Sequence, residues 1–462
     1  MNYIKNAITY DRNIKLGGLF DDQAVFLNMT RFFDDFKIVS NNDGEWLELL
    51  GFKDISVNLE IGEGHEIAGA KLATTKEFEK MARNDKGRRY VLYSPLDPPY
   101  IVNPLSYIMN SPTIAHAYEN KRYFRDEFTD LINLPEHEIV RLDEITNETY
   151  EEMHLAFGKM VLQDVDLSGS KGTIFANTKE EFYEAVEALK AVSYSGTIVI
   201  SKFITGLSRS VQVCVTKYGI FMGGLQKQLV NSKYLCDPKQ KGSTKWCGGE
   251  VGGIESDIVI HRTREIATIV GSELASHGYR GIFGIDLIVT PENDVYAIEV
   301  NARLTGYSHI LSDMQFQKEK IPFMLLHALE LGNIPYDIED LDALPMPNSL
   351  TDIYSYLIIN NDHDNDYILP KDLKSGIYKI TDNTMTYVCS SYSVADLESD
   401  DEIIILSKFS KAGEAIEQGK RIYKIITKGA TMDDLTGDLN ERGSRLVDCT
   451  RNYFQIYQKD KK

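Results

Sequence analysis

Cysteine is scarce in this sequence: the five in 462 residues stand at 214, 236, 247, 389 and 449, an odd number, widely spaced and without a C-x-x-C pair. That argues against a disulfide framework or a zinc site, which need thiols at characteristic short spacings. Long apolar runs are missing as well. No uninterrupted stretch approaches the ~18 residues of a membrane-spanning helix, and the opening MNYIKNAITYDRNIK has no signal-peptide core. The expectation is a reduced, cytoplasmic protein with no membrane partner. Positive charge is in deficit, with 50 Lys and Arg against 69 Asp and Glu and a net charge of −19. A nucleic-acid sheath or a binder of anionic membranes needs a positive face, so neither is expected, while a local basic pocket remains allowed. The nine histidines show no H-x-x-x-H or H-E-x-x-H spacing and there is no G-x-S-x-G elbow, which disfavours zinc proteases and serine hydrolases. Walker A and G-x-G-x-x-G patterns are absent too. Asp362-His363-Asp364-Asn365-Asp366 imitates the start of a calcium loop, but Tyr367 replaces its glycine and Leu373 its glutamate, so calcium is rejected there.

What is present is an ordinary globular composition, 43% hydrophobic and 26% charged, in a chain long enough for three or four units. Its most informative stretch is GIFGIDLIVTPENDVYAIEVNARLTG, residues 281–306. Phe283 to Thr290 and Val295 to Asn301 are rich in β-branched and aromatic residues, and Pro291-Glu292-Asn293-Asp294 is turn material, so a β-hairpin is predicted. Pairing Thr290 with Val295 puts Asp286 opposite Glu299, with Asn301 two residues later on the same face. Like charges opposed on apolar strands call for a cation between them, and an all-oxygen set of two carboxylates and an amide suits Mg²⁺ or Mn²⁺. Arg303, two residues after Asn301, aims a permanent planar charge at the same place, as a phosphate would require.

Asp286 followed by Glu299-Val-Asn301-Ala-Arg303 resembles the metal-binding hairpin of ATP-grasp ligases, with Ala302 where that family usually has proline. Other elements follow in matching order. Lys121 matches a nucleotide lysine upstream of the small β-rich lobe. Ser168-Gly169-Ser170-Lys171-Gly172-Thr173, between two predicted strands, reads as a phosphate cradle whose glycines turn backbone N–H groups toward an anion. The strand leading into it carries Gln163 where the family has a lysine; Lys159 on that strand or Lys171 in the loop are the cations that could compensate. Ser201-Lys202-Phe203-Ile204 followed by Gly206 resembles the family's hinge, where backbone groups read the adenine edge, although the usual acidic residue near Ser201 is missing. Phe203 and Leu287 are candidates for adenine packing.

The resemblance covers roughly residues 100–335. It implies an α/β (α+β) chain with the ATP-grasp fold, divided as an N-terminal α/β domain (1–115), linker helices with the small lobe (116–206), a large lobe with the metal site (207–338) and a small C-terminal α+β domain (339–462). Within it, strands are predicted at 158–163, 174–177, 197–203, 210–216 and 220–229. Helices are predicted at 178–192, where Thr178 and Glu181 form a capping box, at 262–277 and at 322–331, with a glycine-rich loop over 241–253. In the last domain, five strand pieces between acidic turns are interrupted by a helix over 411–418. The activity implied is phosphorylation of a carboxylate by ATP with Mg²⁺ held by Asp286, Glu299 and Asn301, Arg303 stabilising the acyl-phosphate, and transfer of the acyl group to an amine. Arg209, Gln226 and Gln228 are candidates for the substrate side; strand alternation forbids Lys227 from sharing a face with Gln226 and Gln228. The expected partners are small-molecule carboxylates and amines, amino acids or peptides first, and a homodimer is compatible with this reading. Transfer to a carrier-protein thiol is the nearest rival, opposed by the −19 charge because such carriers are usually acidic. A catalytically silent ATP-binding module is the other, favoured by Gln163 and the missing hinge acid.

Overall fold

The computed structural model describes residues 2–19, 24–40, 56–58, 75–93, 107–167, 172–236, 245–361, 363, 365–382, 384–407 and 411–456. Near the N-terminus, short apolar strands build a parallel sheet in the spatial order Ser56–Asn58, Phe36–Ser40, Leu16–Leu19, Arg89–Leu92, Tyr107–Ile108. Next comes a four-stranded antiparallel sheet, ordered His137–Arg141, Thr197–Lys202, Met160–Asp164, Thr173–Ala176. The helices Asn147–Phe157 and Lys179–Val192 cover it, burying Leu162, Phe182, Leu189, Ile198 and Ile200 in one core. Thr178 starts the second helix as its composition demands: its hydroxyl accepts from the Glu181 N–H at 3.2 Å and the Glu181 carboxylate accepts from the Thr178 N–H at 3.3 Å.

The third sheet is the scaffold of the molecule. Its ten strands run Val295–Asn301, Gly281–Val289, Leu207–Thr216, Gly219–Val230, Trp246–Gly252, Ile353–Asn360, Arg421–Lys428, Glu402–Leu406, Gly376–Thr381, Thr384–Cys389. One face, carrying Val211, Val213, Phe283 and Ile285, packs on the helix Asp257–Ser276. The other face meets the helices Ser308–Gln317 and Phe323–Leu331 at one end, where Cys214 and Ile282 join a core with Leu311 and Phe323. Its opposite end stays open toward the four-stranded sheet. Hydrogen bonding does not stop at residue 338: Gly248 to Gly252 pair with Leu357 to Ile353, so the C-terminal strands prolong the sheet that carries the hairpin. No helix among the described residues is long and apolar enough to cross a membrane.

Three elements differ from expectation. Residues 246–252 are a strand, not a loop; a Cβ at Gly248 (φ +116°) or Gly249 would lie 2.1 Å from the Tyr356 oxygen and 2.0 Å from the Lys227 oxygen, so these glycines permit close strand contact. The stretch 411–418 forms no helix, because a turn at Gly413 (φ +92°) leads into a short strand, Ala415–Ile416, paired with Tyr367–Ile368. A helix appears instead at Glu441–Phe454, capped by the Asn440 side chain accepting from the Gly443 N–H at 2.8 Å.

Candidate functional site

The hairpin is closed by Thr290 and Asp294, with the Thr290 N–H donating to the Asp294 carbonyl at 2.9 Å and Asn293 in a left-handed turn conformation (φ +65°). Pairing begins at Val289 with Val295, one residue off the expected register. A bulge between Asp286 and Leu287 then restores the offset, so Asp286 does face Glu299 and Asn301 faces Gly284. The carboxylate of Asp286 accepts from Gln228 Nε2 at 2.9 Å and from Asn301 Nδ2 at 3.2 Å. Arg303 donates to Asn301 Oδ1 at 2.7 Å, and its Nε lies 3.3 Å from the Glu119 carboxylate. Lys121 Nζ lies 3.8 Å from Glu299 Oε2 and donates to the Leu167 carbonyl at 2.7 Å. Burial, and after it the facing Glu299, pushes the Asp286 carboxyl up to about 7.

Of these groups, Lys121, Gln228, Asp286 and Glu299 line one end of a cleft of about 470 Å³ between the hairpin and the four-stranded sheet, and Asn301, Arg303 and Glu119 stand behind them. From the small sheet come Val161, Gln163 and Phe175, and Ser201, Lys202, Phe203 and Ile204 form the connecting edge. Gln163 is buried, its Nε2 3.3 Å from the Thr173 hydroxyl. Ser168, Gly169, Ser170 and Lys171 lie outside the described residues; Gly172 follows as a turn with φ +74°. The Lys202 side chain turns outward to Glu136 at 2.8 Å. At the hinge, the Lys202 and Phe203 N–H groups are taken by the carbonyls of Glu136 and Lys159 at 2.9 Å each, whereas the Ile204 N–H makes no backbone hydrogen bond among the described residues. Lys159 Nζ stands 3.6 Å above the Phe203 ring, against whose edge Phe175 packs. Lys159 is therefore at the hinge end of the cleft, engaged with Phe203. Leu287 is buried among core residues and also borders the cleft.

On the substrate side, the strand alternation sorts the candidates. Gln226 pairs with Ser210, which in turn pairs with Asp286, and Gln228 two residues on shares that face; Gln228 lines the cleft and donates to Asp286, whereas Gln226 lies outside the lining and donates to the Tyr356 hydroxyl. Arg209 pairs with Lys227 on the reverse face, where its Nε meets Glu255 at 3.0 Å, so it is not brought to the cleft. Sequence reading missed four contributors. Glu119 and Arg125 belong to the helical segment around Lys121, and Arg125 was detectable as the residue four positions on, which shares that helix face. Thr436 and Gly437 reach the cleft from the far end of the chain, a placement only tertiary packing reveals.

Two sheets gripping a cleft with a metal-type acidic hairpin define a class of nucleotide-dependent folds. Residues 118–307 match the family model described as the ATP-grasp domain, and the chain has the ATP-grasp fold. No curated protein matches the sequence significantly. Among solved structures it is similar to a biotin carboxylase from Campylobacter jejuni (14% identity, 90% of this chain and 87% of that one, TM-score 0.60). It is similar also to phosphoribosylamine–glycine ligase from Thermotoga maritima (16%, 95% and 96%, 0.57) and to L-amino acid ligase from Bacillus licheniformis (15%, 97% and 100%, 0.55). At such identities the likeness speaks to fold.

Proposed function

We propose that this protein is an ATP- and Mg²⁺-dependent ligase that activates a carboxylate as an acyl-phosphate and couples it to an amine, with release of ADP and phosphate. The observation that carries the reading is the opposed pair Asp286 and Glu299 at the end of a two-sheet cleft, joined to Asn301 and Arg303. The donor set fits a hard divalent cation: two carboxylates and an amide, with the Asp286 carboxyl pushed up by burial and by the facing Glu299. Among the described residues no group of three or more His, Cys, Asp or Glu converges, so the protein offers the ion two carboxylates and leaves further positions to the nucleotide and water. When bound, the ion neutralises phosphate oxygens in the loose transition state.

The chain's own groups then have separable tasks. Lys121 draws on the phosphates from the Leu167 side. Ile204 offers the N–H that reads the base edge, with Phe203 and Leu287 against its faces. Arg303, steadied by Glu119, stabilises charge on the transferring phosphoryl group and the acyl-phosphate, and no protein nucleophile is needed. Gln226 and Gln228 face the acceptor side as neutral donors. An amine acceptor is preferred because two of the similar structures are named as ligases of glycine and of L-amino acids. The test is ADP and phosphate release from ATP and Mg²⁺ across pooled amino acids and small carboxylates, with Glu299→Gln as control. Release that requires a substrate pair and falls about 10²-fold or more in the variant supports the reading; AMP and pyrophosphate would overturn it.

A further inference from the structure

The cleft holds a cation that the chemistry above leaves unused. Arg125 lies one turn beyond Lys121 on the helix Lys121–Phe128 and lines the same cleft, although only 1% of it is exposed. One of its N–H groups is engaged, donating from Nη1 to the Ala297 carbonyl at 3.2 Å. Its Nε has no hydrogen-bond partner among the described residues, and no ion pair to Arg125 occurs among them. A guanidinium keeps its proton inside a protein, so an enclosed and unpaired one costs free energy until an anion meets it.

The charges around it narrow what that anion is. Asp286 and Glu299 make this end of the cleft acidic, and Glu299 draws on Lys121 at 3.8 Å and on Arg125 through space, without a hydrogen bond to the guanidinium. Gln163 lines the same cleft but is neutral, its amide turned to Thr173. Lys159 sits over Phe203 at the hinge end, and Lys202 is turned out to Glu136. Among the described residues, a polyphosphate entering beside the acidic pair would find Lys121 and Arg125 as enclosed cations in the cleft wall, Arg303 being set behind it and already held by Glu119 and Asn301. A planar guanidinium offers paired donors matched to phosphate oxygens.

We propose that Arg125 is a binding residue for the phosphate chain of the nucleotide, supplying beside Lys121 a fixed positive charge in the cleft wall where Gln163 supplies none. This rests on the nucleotide reading of the cleft. It is tested by calorimetric titration of the full chain with ADP and, separately, with adenosine, using the wild type, Arg125→Lys, Arg125→Gln and the double variant Arg125→Gln/Gln163→Lys, each checked by thermal melting. Charge-assisted hydrogen bonds predict that Arg125→Gln weakens ADP by about tenfold or more while adenosine changes less than about twofold. Arg125→Lys should fall between, and the added lysine at 163 should recover part of the ADP affinity. If Arg125→Gln does not fold, the lysine variant carries the comparison, with ADP weakened and adenosine unchanged. Equal weakening of both ligands, or unchanged ADP affinity, would show that Arg125 only braces the Ala297 strand and would overturn the proposal. Failure of the wild type to bind ADP would instead overturn the nucleotide reading, and the proposal with it.

Discussion

Asp286 and Glu299 face one another on strands whose neighbours are apolar, and burial together with the Glu299 charge raises the pKa of the Asp286 carboxyl. That cost is what makes the pair informative; strand alternation put Asp286, Glu299 and Asn301 on one face, but the expected Thr290–Val295 register was one residue off, and it is the bulge after Asp286 that sets Asp286 opposite Glu299. Glu119 escaped because its meaning depends on what packs against the helix, whereas Arg125 was legible from its place one turn beyond Lys121. Buried titratable groups can also be diagnosed away from the cleft. His327 is buried on the helix Phe323–Leu331, its Nδ1 accepts from the Ile282 N–H at 2.9 Å, and burial drives its pKa down to about 3. The unfolded chain therefore takes up this proton first as pH falls. The group's contribution is fully present above about pH 6.5 and is lost by up to about 1.4 kcal/mol for each unit below it. Urea unfolding between pH 7 and 4.5 should show a flatter pH dependence in His327→Gln than in the wild type; an identical slope would contradict this account.

At the level of elements, regular periodicity was legible and its absence was misleading. The small-lobe strands, the helix Lys179–Val192 and the hairpin are all amphipathic or alternating, and they fall within a residue or two of expectation. The helix Ser308–Gln317 was invisible because Ser308, His309, Ser312, Asp313 and Gln315 are buried along with its apolar residues, which erases any polar face. Trp246–Gly252 was hidden by glycines that serve strand packing, whereas Glu441–Phe454, with buried Leu446, Val447, Thr450 and Phe454 at helical spacing, carried a legible signal although no helix was expected there. Where a local signal was clear it should also carry energy. Removing the Thr178 cap with Thr178→Ala is expected to cost about 1 kcal/mol, read as a lower chemical-denaturation midpoint, with a loss under about 0.3 kcal/mol counting against the capping assignment.

Across the whole molecule, one acid ties remote parts of the chain together. Asp313 accepts from Arg31 at 2.6 Å, from the Ser393 hydroxyl at 2.7 Å and from the Val394 N–H at 2.8 Å, joining the N-terminal region, the nucleotide core and the C-terminal strands. Its substitution, Asp313→Ala, leaves an arginine and two donors without their acceptor and is expected to destabilise the fold by about 3 kcal/mol, as measured by denaturant unfolding. A loss below about 1 kcal/mol would mean that the three regions are held by their apolar core alone. The same continuity appears in the ten-stranded sheet, which runs from the metal-type hairpin into the C-terminal strands and lets Thr436 and Gly437 border the cleft. Sequence could mark those strands one by one but not their membership of a shared sheet, because the pairings join segments about a hundred residues apart.

The central claim is that a carboxylate oxygen is transferred to phosphate on this scaffold. The direct test supplies ATP, Mg²⁺ and a pool of amino acids labelled with ¹⁸O in their carboxylates, then weighs the released phosphate by mass spectrometry. Acyl-phosphate chemistry predicts one ¹⁸O in that phosphate for each ADP formed, and none when Glu299 is replaced by Gln. Unlabelled phosphate, or label recovered in AMP, would contradict it.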